Sequence, residues 1–114
     1  MGIIYGAITI FGMVAIVGMY LLSLIMRNKE TPKAVTIIHG LFAVLAVVLL
    51  VIYCFANHTG PLVSIVIFII AAVAGVIVNY KDITGKKVPK WLAITHGLVA
   101  VIGFAFLLAF AFFS

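Results

Sequence analysis

Polar residues are nearly absent from four long stretches of this chain and crowd into the segments between them. The apolar runs cover roughly Ile3 to Met26, Ala34 to Ala56, Pro61 to Tyr80 and Trp91 to Phe113. Each is close to the about 20 helical residues needed to cross a hydrocarbon layer of ~30 Å. The runs are apolar on every face, whereas barrel strands would be about ten residues of alternating polarity. The pattern therefore predicts an all-α membrane protein with four transmembrane helices in an up-down bundle. Connectors this short leave one transmembrane domain, 1–114, and no room for an extramembrane one.

Composition sharpens this reading. A chain of 114 residues that is 68% hydrophobic and 8% charged carries more apolar surface than a soluble core of its size can bury, so the lipid bilayer is its main solvent. The first run lacks a basic n-region and is too long for a secretory signal, which predicts a retained helix. Cys54 is the single cysteine, so no intrachain disulfide or CxxC redox motif is available and a small buried filler is expected.

All seven basic residues, Arg27, Lys29, Lys33, Lys81, Lys86, Lys87 and Lys90, and both acids, Glu30 and Asp82, fall between the first and second or the third and fourth runs. By the positive-inside rule those two connectors are expected to be cytoplasmic, with both termini and the Asn57–Pro61 turn on the opposite side. The net charge of +5 is thus a topology signal that also favours anionic lipid heads. It gives no support to nucleic acid as a partner, because no folded basic face stands behind the lysines.

Sliding the sequence by 57 positions gives 16 identities without a gap, where composition alone would give roughly five or six, which indicates internal repeats 1–57 and 58–114. The densest block pairs PKAVTIIHGLFAV, from Pro32, with PKWLAITHGLVAV, from Pro89. Each repeat holds two helices, so the second copy enters the membrane in the same direction as the first. The bundle is then two parallel-repeat helical hairpins about a pseudo-two-fold axis along the membrane normal. Pro32 and Pro89 suit helix starts, and each histidine lies ~9 Å beyond its lysine.

His39 and His96 carry the candidate chemistry. An imidazole in hydrocarbon is costly unless partnered, and an ionisable group at that depth is a functional candidate. In an up-down-up-down bundle the second and fourth helices lie on a diagonal of roughly 12 to 14 Å, a span suited to two imidazoles with an iron between them. Small residues surround the pair in sequence: Ala43 and Ala46 follow His39 on its face, Ala100 and Gly103 follow His96, and Gly40, Gly97, Gly18 and Gly75 remove further bulk at similar depth. A flat macrocycle needs such space and takes axial imidazoles. The same features also suit close helix packing around a structural histidine pair, or another metal or substrate.

The paired histidines on four helices resemble the small membrane b-type cytochromes of the cytochrome b561-like kind. That resemblance implies one haem b held by His39 and His96, electron transfer, and a quinone or a redox protein as partner. It departs from the family in one respect: such proteins often carry two histidine pairs, one per leaflet, and this chain offers one. No GxGxxG or other soluble-cofactor fingerprint is present, so reductant would come from a partner or from quinol.

Other residues have simpler expected roles. His58 lies in the turn before Gly60 and Pro61 and reads as a solvated loop residue. Tyr5, Tyr53, Tyr80 and Trp91 fall at the interfaces where aromatic rings anchor helices. Tyr20 is deeper and could bond a cofactor or quinone. Met13 and Met19 read as filler, and Asn79 as a cap or interface residue. Small multidrug exporters share the chain's size but need a membrane-embedded carboxylate, and small fluoride channels pair in opposite orientations, against the charge segregation seen here. A structural or assembly subunit and a histidine-based metal transporter remain alternatives, as does pairing of the chain with itself.

Overall fold

The computed structural model describes residues 1–113. Four helices follow in order: α1, Gly2–Met26; α2, Lys33–Asn57; α3, Leu62–Ile83; and α4, Lys90–Phe113. All four are long and apolar enough to cross a membrane. The protein is therefore an all-α, multi-pass membrane protein in contact with the bilayer. Around the bundle, α1 packs on α2, α2 on α3, α3 on α4, and α4 on α1, while the two diagonals have no close backbone approach among the described residues.

Proline sets the helix starts. Pro32, Pro61 and Pro89 immediately precede α2, α3 and α4, where a missing N–H breaks no helix bond. The two charged connectors begin alike. After α1, Asn28 takes φ 56°, and after α3 its repeat mate Gly85 takes φ 76°. Lys29 N donates to Leu24 O at 2.9 Å and Lys86 N to Lys81 O at 2.8 Å; Asn28 N and Gly85 N bond Ile25 O and Asp82 O. These paired 6→1 and 5→2 bonds are Schellman closures, which require one left-handed residue each. α3 runs three residues past the apolar run and takes Lys81 and Asp82 into its last turn, because the backbone bonds of the closure continue the helix beyond the hydrocarbon.

Repeat mates meet along the bundle axis. Phe11 and Phe68 stack with centroids 4.0 Å apart and planes at 7°, bridging the α1–α3 diagonal. Leu50 and Leu107, also mates, are fully buried. Tyr53 and Phe110 approach edge to face at 6.0 Å across the α2–α4 diagonal. With Ile4, Ala7, Ala46 and Ile65, most of these form one core cluster, which fills the half of the bundle farther from the charged connectors. Helix association in lipid has no hydrophobic drive and rests on such packing.

Candidate histidine centre

Nearer the charged face the interior changes character. His39 and His96 project from α2 and α4 across the axis, with ring centroids 6.5 Å apart and planes at 81°. Diagonal placement follows from the duplicated hairpin, and a common depth from their equal distance to Pro32 and Pro89.

Glycine seats each ring. A Cβ at Gly18 would lie 3.0 Å from His39 Cε1, and one at Gly75 would lie 2.8 Å from His96 Cε1. A helical side chain covers the turn on its N-terminal side, so a glycine uncovers the carbonyl four residues back. That carbonyl is the ring's target. His96 Nδ1 lies 2.8 Å from Ala71 O, the carbonyl one turn before Gly75. His39 lies against Gly18, one turn beyond Val14, the repeat mate of Ala71, but its Nδ1 is buried with no hydrogen-bond partner among the described residues. The clearance expected at Gly18 and Gly75 is therefore occupied by the imidazoles themselves.

The remaining small residues divide into two groups. Gly97 has open space where a Cβ would stand, and Gly40 has only Asn79 Nδ2 at 3.9 Å. Ala43 and Ala100 are half-buried. Farther from the charged face, Ala46 is fully buried, and Gly103 is pressed by Ile67 and Phe68, each 3.1 Å from its Cβ position. Bulk is thus low beside the rings at Gly40 and Gly97, and rises toward the phenylalanine stack.

Two groups that the sequence marks only as a helix-end residue and a connector acid belong to this region. Asn79 lies inside α3, one turn beyond Gly75, and its Oδ1 is buried without a partner among the described residues. Asp82, one turn further, binds α2: Lys33 Nζ reaches Oδ1 at 3.1 Å and the backbone oxygen at 2.8 Å, Thr36 Oγ1 donates to Oδ2 at 3.2 Å, and Thr31 Oγ1 donates to the same oxygen. No covalent connection joins α2 and α3 at this face, so Asp82 clasps them. Its charge also faces the N-terminal turn of α2, where a helix dipole favours an anion.

Other expected residues stay apart from the pair. His58 is exposed and caps α2 at φ 56°. Tyr20, Met13 and Met19 are exposed on the outside of the bundle, and Cys54 is a half-buried free thiol. Tyr80 and Trp91 are exposed near the charged face, and Tyr5 near the other.

The donor set can be weighed against a metal. Among the described residues no group of three or more His, Cys, Asp or Glu gathers, so the pair supplies two ligands, below the three or four protein ligands of a zinc site. A macrocycle fills the other positions of an iron itself and needs only axial ligands. His39 and His96 would offer two such ligands, with ring centroids 6.5 Å apart. The donor number therefore fits a group that needs only two axial imidazoles. No family model matches the chain, and no curated protein or solved structure matches it.

Proposed function

We propose that the protein is a membrane-embedded b-type haem protein in which His39 and His96 are the axial ligands of one haem b, and that it exchanges electrons with a quinone or a redox partner. One observation carries the reading: two symmetry-related imidazoles approach each other across the axis, each seated on a glycine of an adjacent helix, with His96 Nδ1 on the Ala71 carbonyl. A ligating histidine is usually oriented in that way, because a donated Nδ1–H fixes the tautomer and leaves the Nε2 lone pair for the metal. Ala71 O holds the ring of His96 in place, and Gly75 permits the approach. Gly18 does the same for His39. Gly40, Gly97, Ala43 and Ala100 line the low-bulk walls of the site.

Haem when bound supplies one-electron exchange at iron, with a potential set by its axial ligands and surroundings. Both rings lie half-buried between the helices, and the outer surface of the bundle is mostly apolar. A single haem near one face supports exchange within that leaflet, and crossing the full membrane would need a second haem subunit. The segregation of Lys and Arg supports a cytoplasmic location for the two charged connectors. The rival reading is a structural histidine pair in an assembly subunit, favoured by the His96–Ala71 bond, which places one ring by packing alone.

An absorption spectrum separates the two. Protein purified from cells supplied with haem is expected to show a Soret band that sharpens on dithionite reduction. His39→Ala and His96→Ala should each abolish it, and His58→Ala should leave it intact. A colourless preparation supports the structural pair instead.

A further inference from the structure

The pseudo-symmetry creates two equivalent seams at the charged face, one between α2 and α3 and one between α4 and α1. Their linings differ in kind. On the α2–α3 seam stand Thr31, Thr36, Asn79 and Asp82; the mates of these residues on the other seam are Val88, Ala93, Leu22 and Ile25. Every polar group on one side is replaced by an aliphatic one on the other. Lys33 and Lys90 are the exception, and both lie at the surface.

The polar groups form rungs between the two helices. Thr36 and Asp82 make the outer one at 3.2 Å. One turn deeper Asn79 stands opposite Gly40, where an added Cβ would lie 3.9 Å from Asn79 Nδ2. Another turn in along α3, Gly75 leaves the seam and seats His96 of α4 at the bundle axis. The succession thus leads from the membrane surface to the histidine pair. Asn79 Oδ1 is buried with no partner along it, and an unpaired buried carbonyl oxygen costs about 1 to 3 kcal/mol. Such groups are ordinarily satisfied by internal water, which needs 2 to 4 polar partners. Asn79, Thr36 and Asp82 supply them on this seam, whereas Leu22, Ala93 and Ile25 supply none on the other.

We propose that the α2–α3 seam is a water path from the charged face toward the histidine pair, and that the α4–α1 seam is closed to water. Asp82 stands at its mouth with Lys33 and Thr31, Thr36 passes the first turn, and Asn79 orients water in the second. The seams differ because each repeat places hydrogen-bonding groups on this one, Thr31 and Thr36 from the first and Asn79 and Asp82 from the second, where their mates on the other seam carry alkyl groups. This inference goes beyond the haem reading and does not rest on it, since water access is measured without any cofactor.

The test uses the full chain in lipid nanodiscs with Cys54→Ala and single cysteines on each seam. Silver ion, close to water in size, is applied, and its reaction is read as protection from alkylation after denaturation. Thr36→Cys and Asn79→Cys are expected to react at least ten times faster than their mates Ala93→Cys and Leu22→Cys. Equal rates on the two seams overturn the proposal. In the unsubstituted chain, solid-state NMR should show magnetisation transfer from water to the Asn79 side-chain amide, and a dry amide there overturns it without reference to any variant.

Discussion

Gly75 lies so near His96 that a methyl group on its Cα would stand 2.8 Å from the ring, closer than side-chain carbons ordinarily come. Gly75→Ala must therefore push the imidazole off the Ala71 carbonyl or part α3 from α4. Overpacking of this kind costs about 1 to 3 kcal/mol. Lower thermal stability in detergent is the expected outcome, and, if the histidine pair holds haem, loss of haem retention with it. Gly18→Ala, at 3.0 Å from His39, should show the same effects more mildly. Gly12→Ala, whose Cβ meets nothing within 4 Å, should be neutral or slightly stabilising, since alanine favours helix by about 1 kcal/mol over glycine.

Gly40 and Gly97 permit a test of a different kind. A Cβ at Gly97 meets no protein atom within 4 Å, and one at Gly40 meets only an ordinary contact. Gly40→Ala and Gly97→Ala should leave the unliganded bundle as stable as before. If a macrocycle lies beside the rings, the added methyl groups meet it, and haem affinity should fall by about tenfold or more, equivalent to 1.4 kcal/mol. Haem titration of each purified variant measures this. Unchanged affinity would place the group elsewhere.

Much of this arrangement was legible in the sequence, because duplication converts a sequence offset into geometry. Sliding by 57 positions pairs His39 with His96, Phe11 with Phe68 and Tyr53 with Phe110, and these pairs are the ones whose rings meet across the axis. Helix spans followed from apolar run length to within a few residues. The purpose of Gly18 and Gly75 was less legible. Small residues signal room without saying what fills it, and the occupants prove to be the imidazoles. Asp82 and Asn79 were read as connector and helix-end residues, since nothing local reveals that α3 carries one past the apolar run and leaves the other sealed inside. Their one signal was the failure of the repeat at those positions, where Ile25 and Leu22 stand in the first copy.

The Asp82 clasp should matter more than its place at the membrane surface suggests. Asp82 accepts from Thr31, Thr36 and Lys33, and its side chain is 13% exposed against 47% for that of Lys33. Asp82→Ala removes all three bonds at once. Hydrogen bonds to a charged group contribute about 1.5 to 3 kcal/mol each, but Thr36 retains the Pro32 carbonyl at 3.1 Å and Lys33 retains water, so the expected net loss is about 1 to 3 kcal/mol. Lys33→Ala should cost under about 1 kcal/mol, as exposed ion pairs do. Denaturant titration of both variants in the same detergent decides between a clasp and a surface charge pair; equal small losses would mean that the threonine bonds contribute nothing.

The two charged connectors offer an internal comparison of backbone strain. Asn28 at φ 56° and Gly85 at φ 76° occupy mate positions in the same closure, so the same conformation is held by different residues. Glycine adopts it freely, whereas a residue with a Cβ pays about 1 to 2 kcal/mol, asparagine less than most. Gly85→Ala should therefore destabilise the chain by about 1 kcal/mol, with α3 and α4 losing their fixed join. Asn28→Gly should be neutral or stabilising by a few tenths, because relief of the left-handed strain is offset by the added freedom of the unfolded chain. Thermal melts of the two single variants and the double variant should show the effects adding, since the turns share no partner.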